Sequence, residues 1–129
     1  MITEIKSGNK LFALLVDLSS IKEGTFPVTD PAWPLQLLLM KRKRGHVVLK
    51  HIHKKIRKTT RQPQEALVVI KGTVAVSIFD RKGKFIAKKN VSSGQCLLMV
   101  DGAHEIKMTK NSLLYAFKDG PYIDDKIFL

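Results

Sequence analysis

The sequence predicts an all-β fold, because short runs of β-branched and aromatic residues alternate with turn residues and no segment has the roughly 3.6-residue apolar period of a helix. The clearest runs are residues 65–70 and 73–79, which Gly72 separates. Residues 80–83 are typical of a hairpin turn, and residues 85–91 form the predicted return strand. A chain of 129 residues suits one domain, so we expect a single-domain β-sandwich or barrel over residues 1–129.

The rest of the chain supplies further short strands and two connections. Residues 21–34 are rich in Pro and Gly and are expected to form a connection, with Trp33 as its anchoring aromatic. Residues 54–64 are polar and include Pro63, which predicts a loop. The remaining predicted strands are residues 11–18, 34–40, 46–53, 95–100, 105–108 and 113–117.

The chain is strongly basic, and much of its charge lies in one segment. Lys and Arg number 23 against 11 Asp and Glu, which gives a formal charge of +12. Ten of the basic residues lie between Lys41 and Gln64, where there is no acidic residue. Such a segment attracts phosphates, carboxylates, nucleic acid or acidic lipid, and a solvated basic surface without a specific partner is the alternative. Specific nucleic-acid binding is not favoured, because the segment contains no Phe, Tyr or Trp to stack on bases.

The sequence favours a soluble cytoplasmic protein. Residues 1–10 carry Glu4, Lys6 and Lys10 rather than the apolar block of a signal peptide, and no apolar run approaches the roughly 20 residues of a membrane span. Cys96 is the only cysteine and begins an apolar run, so we expect a buried thiol and no intrachain disulfide.

Two histidines are the first candidate site residues. His51 and His53 are two positions apart, and they therefore project from one face of their predicted strand. Val47 and Leu49 share that face, which makes it the inner one, whereas His46 has the opposite parity and is expected at the surface. Imidazoles that point into an apolar interior need partners, and a divalent metal ion is a partner that imidazole binds well.

Glu65 and His104 complete the candidate metal site. Glu65 begins an apolar strand and shares a face with Leu67 and Val69, so its carboxylate is expected to enter the same cavity. His104 follows the predicted turn at residues 101–102 and is placed to reach in from a neighbouring strand. Three imidazoles and one carboxylate leave coordination positions of the ion open, which is typical of a catalytic rather than a structural metal site.

At these residues the chain resembles the cupin superfamily. The first cupin motif places a glycine before a His-x-His pair and a glutamate before a second glycine, as do Gly45, His51, His53, Glu65 and Gly72. The glycine and histidine positions of the second motif are occupied by Gly94, Gly102 and His104. The resemblance implies a double-stranded β-helix, or jelly-roll barrel, that binds a divalent metal ion such as Fe, Mn, Zn or Ni.

The loop before Glu65 is longer than the short connection of the cupin motif. Eleven residues, 54–64, separate His53 from Glu65. Gln62 or Gln64 could therefore replace Glu65 as a ligand, or three histidines could hold the ion alone.

A narrower resemblance is to small stand-alone bacterial cupins without an established activity. The similar segments are residues 34–37, 64–69, 102–104 and 118–122. Some such cupins accompany surface-polysaccharide genes, which implies a role in carbohydrate metabolism. Residues 51–54 are also similar, more weakly, to sugar-nucleotide 3,4-ketoisomerases, cupins in which histidines transfer protons without a metal.

Three functions remain open from the sequence. The leading hypothesis is a metal-dependent enzyme for a small anionic substrate, a carboxylate, a phosphate or a sugar derivative, with Arg57, Arg61 and Gln36 as candidate substrate-binding residues. The basic loop that contains the two arginines is expected at the rim of the site, where it would close as a lid. The alternatives are a metal-free sugar-nucleotide isomerase or epimerase that uses His51 or His53 for proton transfer, and a non-enzymatic protein that binds anions or nucleic acid.

A homodimer is expected as well. Leu37, Leu38 and Leu39 follow one another in a predicted strand, so that strand is apolar on both faces. The outward face needs a cover, which a second copy could supply across a two-fold axis.

Overall fold

The computed structural model describes all 129 residues and confirms the all-β fold class. The chain forms ten strands and contains no helix that could cross a membrane. Every pair of hydrogen-bonded strands is antiparallel. The strands are β1 (Ile2–Ser7), β2 (Lys10–Asp17), β3 (Gly24–Pro27), β4 (Leu38–Lys41), β5 (Glu65–Lys71), β6 (Thr73–Phe79), β7 (Phe85–Ser92), β8 (Gln95–Met99), β9 (Ala103–Met108) and β10 (Leu113–Lys118).

A five-stranded sheet in the order β1-β2-β8-β5-β10 forms the middle layer. In its central strand β8, Leu97 lies opposite Leu15 of β2 and opposite Leu67 of β5. Both faces of β8 are buried, which explains why its sequence is continuously apolar instead of alternating. Cys96 is buried there as expected, and its removal from water raises the pKa of the thiol to about 11.

The other two sheets cover the two faces of the middle layer. The three-stranded sheet, in the order β7-β6-β9, packs on one face around the buried Leu67, Val76 and Leu97. The two-stranded sheet of β3 and β4 covers the other face, where Leu39 packs with Leu98. The fold is therefore three β layers with two apolar cores between them.

The hairpin turn predicted between β6 and β7 is confirmed. A carboxylate oxygen of Asp80 accepts hydrogen bonds from the backbone N–H groups of Lys82 and Lys84, each at 2.9 Å. Gly83 has a φ of +88°, a conformation that an L side chain rarely adopts.

Several features differ from the sequence-based expectation. The three sheets do not close into a barrel. The predicted strand over residues 46–53 is wrong for the single chain, because no neighbouring strand pairs with it. The strand predicted over residues 34–40 forms only as β4, and neither β1 nor β3 was predicted. β1 was missed because its sequence has no apolar alternation. Only one of its residues, Ile5, is buried.

Residues 44–61, which we call the basic arm, are exposed along their whole length. The hydrogen bonds of the arm are local: the His46 N–H donates to the Lys43 carbonyl, and His51 Nδ1 lies 2.7 Å from the Leu49 carbonyl oxygen. No hydrogen bond or ion pair joins the arm to the three sheets. Its apolar side chains are open to solvent; Leu49 is 79% and Ile52 91% exposed.

Candidate functional site

The candidate site lies in an open cleft of about 750 Å³ between the middle layer and the three-stranded sheet. Glu65, the first residue of β5, shares a face with the buried Leu67, as its parity predicted. On β9, His104 shares a face with Ile106, which packs against the same core. Both side chains line the cleft, and each lies at the beginning of its strand, at the edge of that core.

Glu65 and His104 form a hydrogen-bonded pair across the two sheets. His104 Nε2 lies 3.1 Å from a carboxylate oxygen of Glu65, and the side chains are 29% and 24% exposed respectively. The hydrogen bond from His104 lowers the pKa of Glu65 below its usual value, which outweighs the opposing effect of partial burial. The pair presents an ionised carboxylate and an imidazole to the same space.

Three basic side chains line the cleft beside this pair, together with the carboxylates of Asp101 and Asp125. Lys118, at the end of β10, lies directly opposite Glu65 in the strand register. Its ammonium group is 2.9 Å from Asp125, and this contact raises the pKa of Lys118. Arg81 and Lys126 also line the cleft, and Lys126 forms no ion pair. Lys126 is therefore the cleft cation without a carboxylate partner, whereas Arg81 is paired with Asp101 and Lys118 with Asp125.

Asp101 fixes the turn that precedes β9. One of its carboxylate oxygens accepts hydrogen bonds from the Gly102 N–H at 2.7 Å and from Gln62 and Arg81 at 3.1 Å each. The other oxygen lies 2.8 Å from the ammonium group of Lys10. Partial burial acts to raise the pKa of Asp101, but these hydrogen bonds outweigh it and lower the pKa to about 2.

The two remaining predicted metal ligands lie elsewhere. His51 and His53 are neighbours on the basic arm, with ring centroids 5.1 Å apart, and both are exposed. Neither lines the cleft, and no group of three or more His, Cys, Asp or Glu side chains is placed to hold a metal ion. The single chain thus brings the four residues together as two separate pairs, Glu65 with His104 and His51 with His53.

The predicted substrate-binding residues are also outside the cleft. Arg57 and Arg61 are exposed on the basic arm and do not line the cleft. The side-chain amide of Gln36 donates to the carbonyls of Asp30 and Trp33, at 2.8 and 2.9 Å, so it holds the turn before β4.

Gln64 and Gln62, the alternative ligands, have different environments. Gln64 lines the cleft and is only 2% exposed. Its side-chain oxygen accepts a hydrogen bond from the Leu35 N–H at 3.3 Å, whereas its Nε2 has no partner. Gln62 is bound to Asp101 and to the Val100 carbonyl. Lys118 was not predicted as a cleft cation, because only the pairing of β10 with β5 brings it to Glu65.

No protein-family model matches this chain, and neither a curated protein nor a solved structure is significantly similar to it.

Proposed function

We propose that the chain is a metal-binding cupin of the jelly-roll type and a metal-dependent enzyme for a small anionic substrate. The single observation that supports this most is the Glu65–His104 pair, 3.1 Å apart in a cleft between two sheets. A carboxylate and an imidazole are ligands that Fe, Mn, Zn and Ni accept, and the lowered pKa keeps Glu65 ionised at neutral pH. His51 and His53 are the further ligands in this proposal.

The surroundings of the pair suit an anionic substrate that carries oxygen atoms. Lys118 and Lys126 line the cleft and would orient a carboxylate or a phosphate. When bound, a divalent ion would polarise a carbonyl or stabilise an enolate at this position.

Metal-free proton transfer is the second candidate function, and the same pair favours it. Glu65 accepts the hydrogen bond from His104 Nε2, which fixes the orientation of the ring. Nδ1 is then the ring nitrogen that is left to accept a proton. An imidazole oriented by a carboxylate is a general base for a proton next to a carbonyl group, as an isomerase or epimerase requires. His51 and His53 are then proton-transfer groups rather than ligands.

Metal analysis separates the two candidates. The untagged protein, purified without chelator, is expected to contain a divalent metal in stoichiometric amount. Glu65→Gln and His104→Ala are each expected to abolish that content, whereas His46→Ala, an exposed histidine away from the cleft, retains it. A folded, metal-free wild type that cannot be loaded with Fe, Mn, Zn or Ni contradicts the metal-dependent function and leaves the proton-transfer function.

A further inference from the structure

The basic arm and the outer edge of β9 are both left without a partner in one chain. β9 pairs with β6 only, so its other edge has free backbone N–H and C=O groups. The arm has no hydrogen bond to the sheets and exposes large apolar side chains, including Leu49 and Ile52. A β-prone segment and an open sheet edge of this kind are a matched pair for strand addition.

We infer that two copies of this chain exchange their basic arms, so that residues 46–53 of each copy add a fourth strand to the three-stranded sheet of the other. Each copy offers the same arm and the same open edge of β9. The contact is therefore made twice around a two-fold axis, and the assembly closes as a dimer.

The connection after the exchanged segment is longer than pairing within one chain needs, which leaves room for exchange. A strand with His51 beside His104 would end close to Glu65, because His104 and Glu65 are 3.1 Å apart. Within one chain, a few residues would suffice to return from that strand to β5. The connection has eleven residues, 54–64, which extend to roughly 36–40 Å and allow the arm to cross to a second copy.

An antiparallel register aligns the apolar faces. On β9, Ile106 faces the inter-sheet core, so His104 and Met108 share its inward face. Placing His51 opposite His104 in an antiparallel pair puts the other inward residues opposite apolar ones. The resulting pairs are His51 with His104, Leu49 with Ile106, and Val47 with Met108. Met108 is 52% exposed in the single chain, so this pairing would cover it.

The charges on the outer face select the same register. With His51 opposite His104, Lys50 lies opposite Glu105, an attractive cross-strand pair. A shift by two residues that brings His53 opposite His104 would place Lys50 against Lys107, which is repulsive.

Exchange would assemble the metal site from two copies. The His51 and His53 of one copy would reach the Glu65–His104 pair of the other, which explains why the four predicted ligands occur as two pairs in one chain. This shared site rests on the proposed metal-binding function, whereas the exchange of arms does not.

Cross-linking of isotopically mixed protein tests the exchange without any metal. Labelled and unlabelled full-length chains are unfolded together, refolded and treated with an amine-reactive cross-linker. Links between Lys50 and Lys107 are expected in pairs that join a labelled to an unlabelled chain. The control is the Lys6–Lys10 link, which joins β1 to β2 of the same chain and stays isotopically uniform. A Lys50–Lys107 link found only within uniform pairs, or not found at all, overturns the exchange.

Mixed dimers test the shared site. One variant has His51→Ala with His53→Ala, and the other has Glu65→Gln with His104→Ala. Each alone is expected to bind no metal, and the refolded mixture to regain one site per mixed dimer. A mixture that stays metal-free, from a wild type that binds metal, overturns the shared site. A wild type that binds no metal instead contradicts the proposed function, and the cross-links still decide the exchange.

Discussion

Replacing Asp101 by Asn removes the carboxylate that fixes the turn before β9, and we expect it to destabilise the fold in a pH-dependent way. The pKa of Asp101 is about 2 in the folded chain against an ordinary value of 3.8. This difference corresponds to at most about 2.4 kcal/mol of folding free energy, since one pKa unit equals about 1.36 kcal/mol. Screening by solvent at this partly exposed site reduces the expected loss to about 1–2 kcal/mol.

The sign of the pH dependence follows from the lowered pKa. A carboxylate whose pKa falls on folding contributes its full stabilisation above its ordinary pKa and loses it as the pH falls from about 4 to about 2. Urea unfolding of wild type and Asp101→Asn should therefore differ by about 1–2 kcal/mol at neutral pH and converge below pH 4. Asp124→Asn is the matched control, because Asp124 is exposed and forms no hydrogen bond or ion pair with another residue. A constant difference between the two proteins across this pH range would refute the role of the ionised carboxylate.

Three further perturbations test the core, the turn and the arm. Leu97→Ala, in a fully buried position, should cost about 2–5 kcal/mol in urea unfolding, and a loss below about 1 kcal/mol would contradict the packing. Gly102→Ala should lower the melting temperature more than Gly94→Ala, because both glycines have a φ above +80° but only Gly102 also has a backbone carbonyl in the way of a Cβ atom. Arg57→Ala and Arg61→Ala should each weaken binding of inorganic phosphate to the metal-loaded protein in calorimetry; unchanged affinity would rule out the basic arm as a lid.

Local sequence patterns predicted most of the sandwich. The bounds of β6 agree with the predicted residues 73–79, because its β-branched residues lie between Gly72 and the Asp80 turn. Turn geometry depends on a few neighbouring residues, so the hairpin could be read from the sequence alone. Likewise, Glu65 faces the inter-sheet core because side-chain direction in a strand alternates with a period of two.

Pairing partners could not be predicted in the same way. Residues 46–53 have the composition of a strand, but a strand is stable only where a neighbouring edge accepts its hydrogen bonds, and one chain supplies none for them. The inward direction predicted for His51 and His53 depended on that missing pairing. For the same reason Lys118 was not predicted as a cleft residue. Its place opposite Glu65, which is 53 positions earlier in the chain, follows from the register of β10 with β5.

Anomalous X-ray diffraction from crystals of the metal-loaded protein tests the proposed site most directly. We expect one ion per cleft, about 2.0–2.3 Å from a ring nitrogen of His104, His51 and His53 and from a carboxylate oxygen of Glu65. An ion bound away from the Glu65–His104 pair would contradict the proposal, as would loaded crystals in which that pair keeps its 3.1 Å hydrogen bond with no ion beside it.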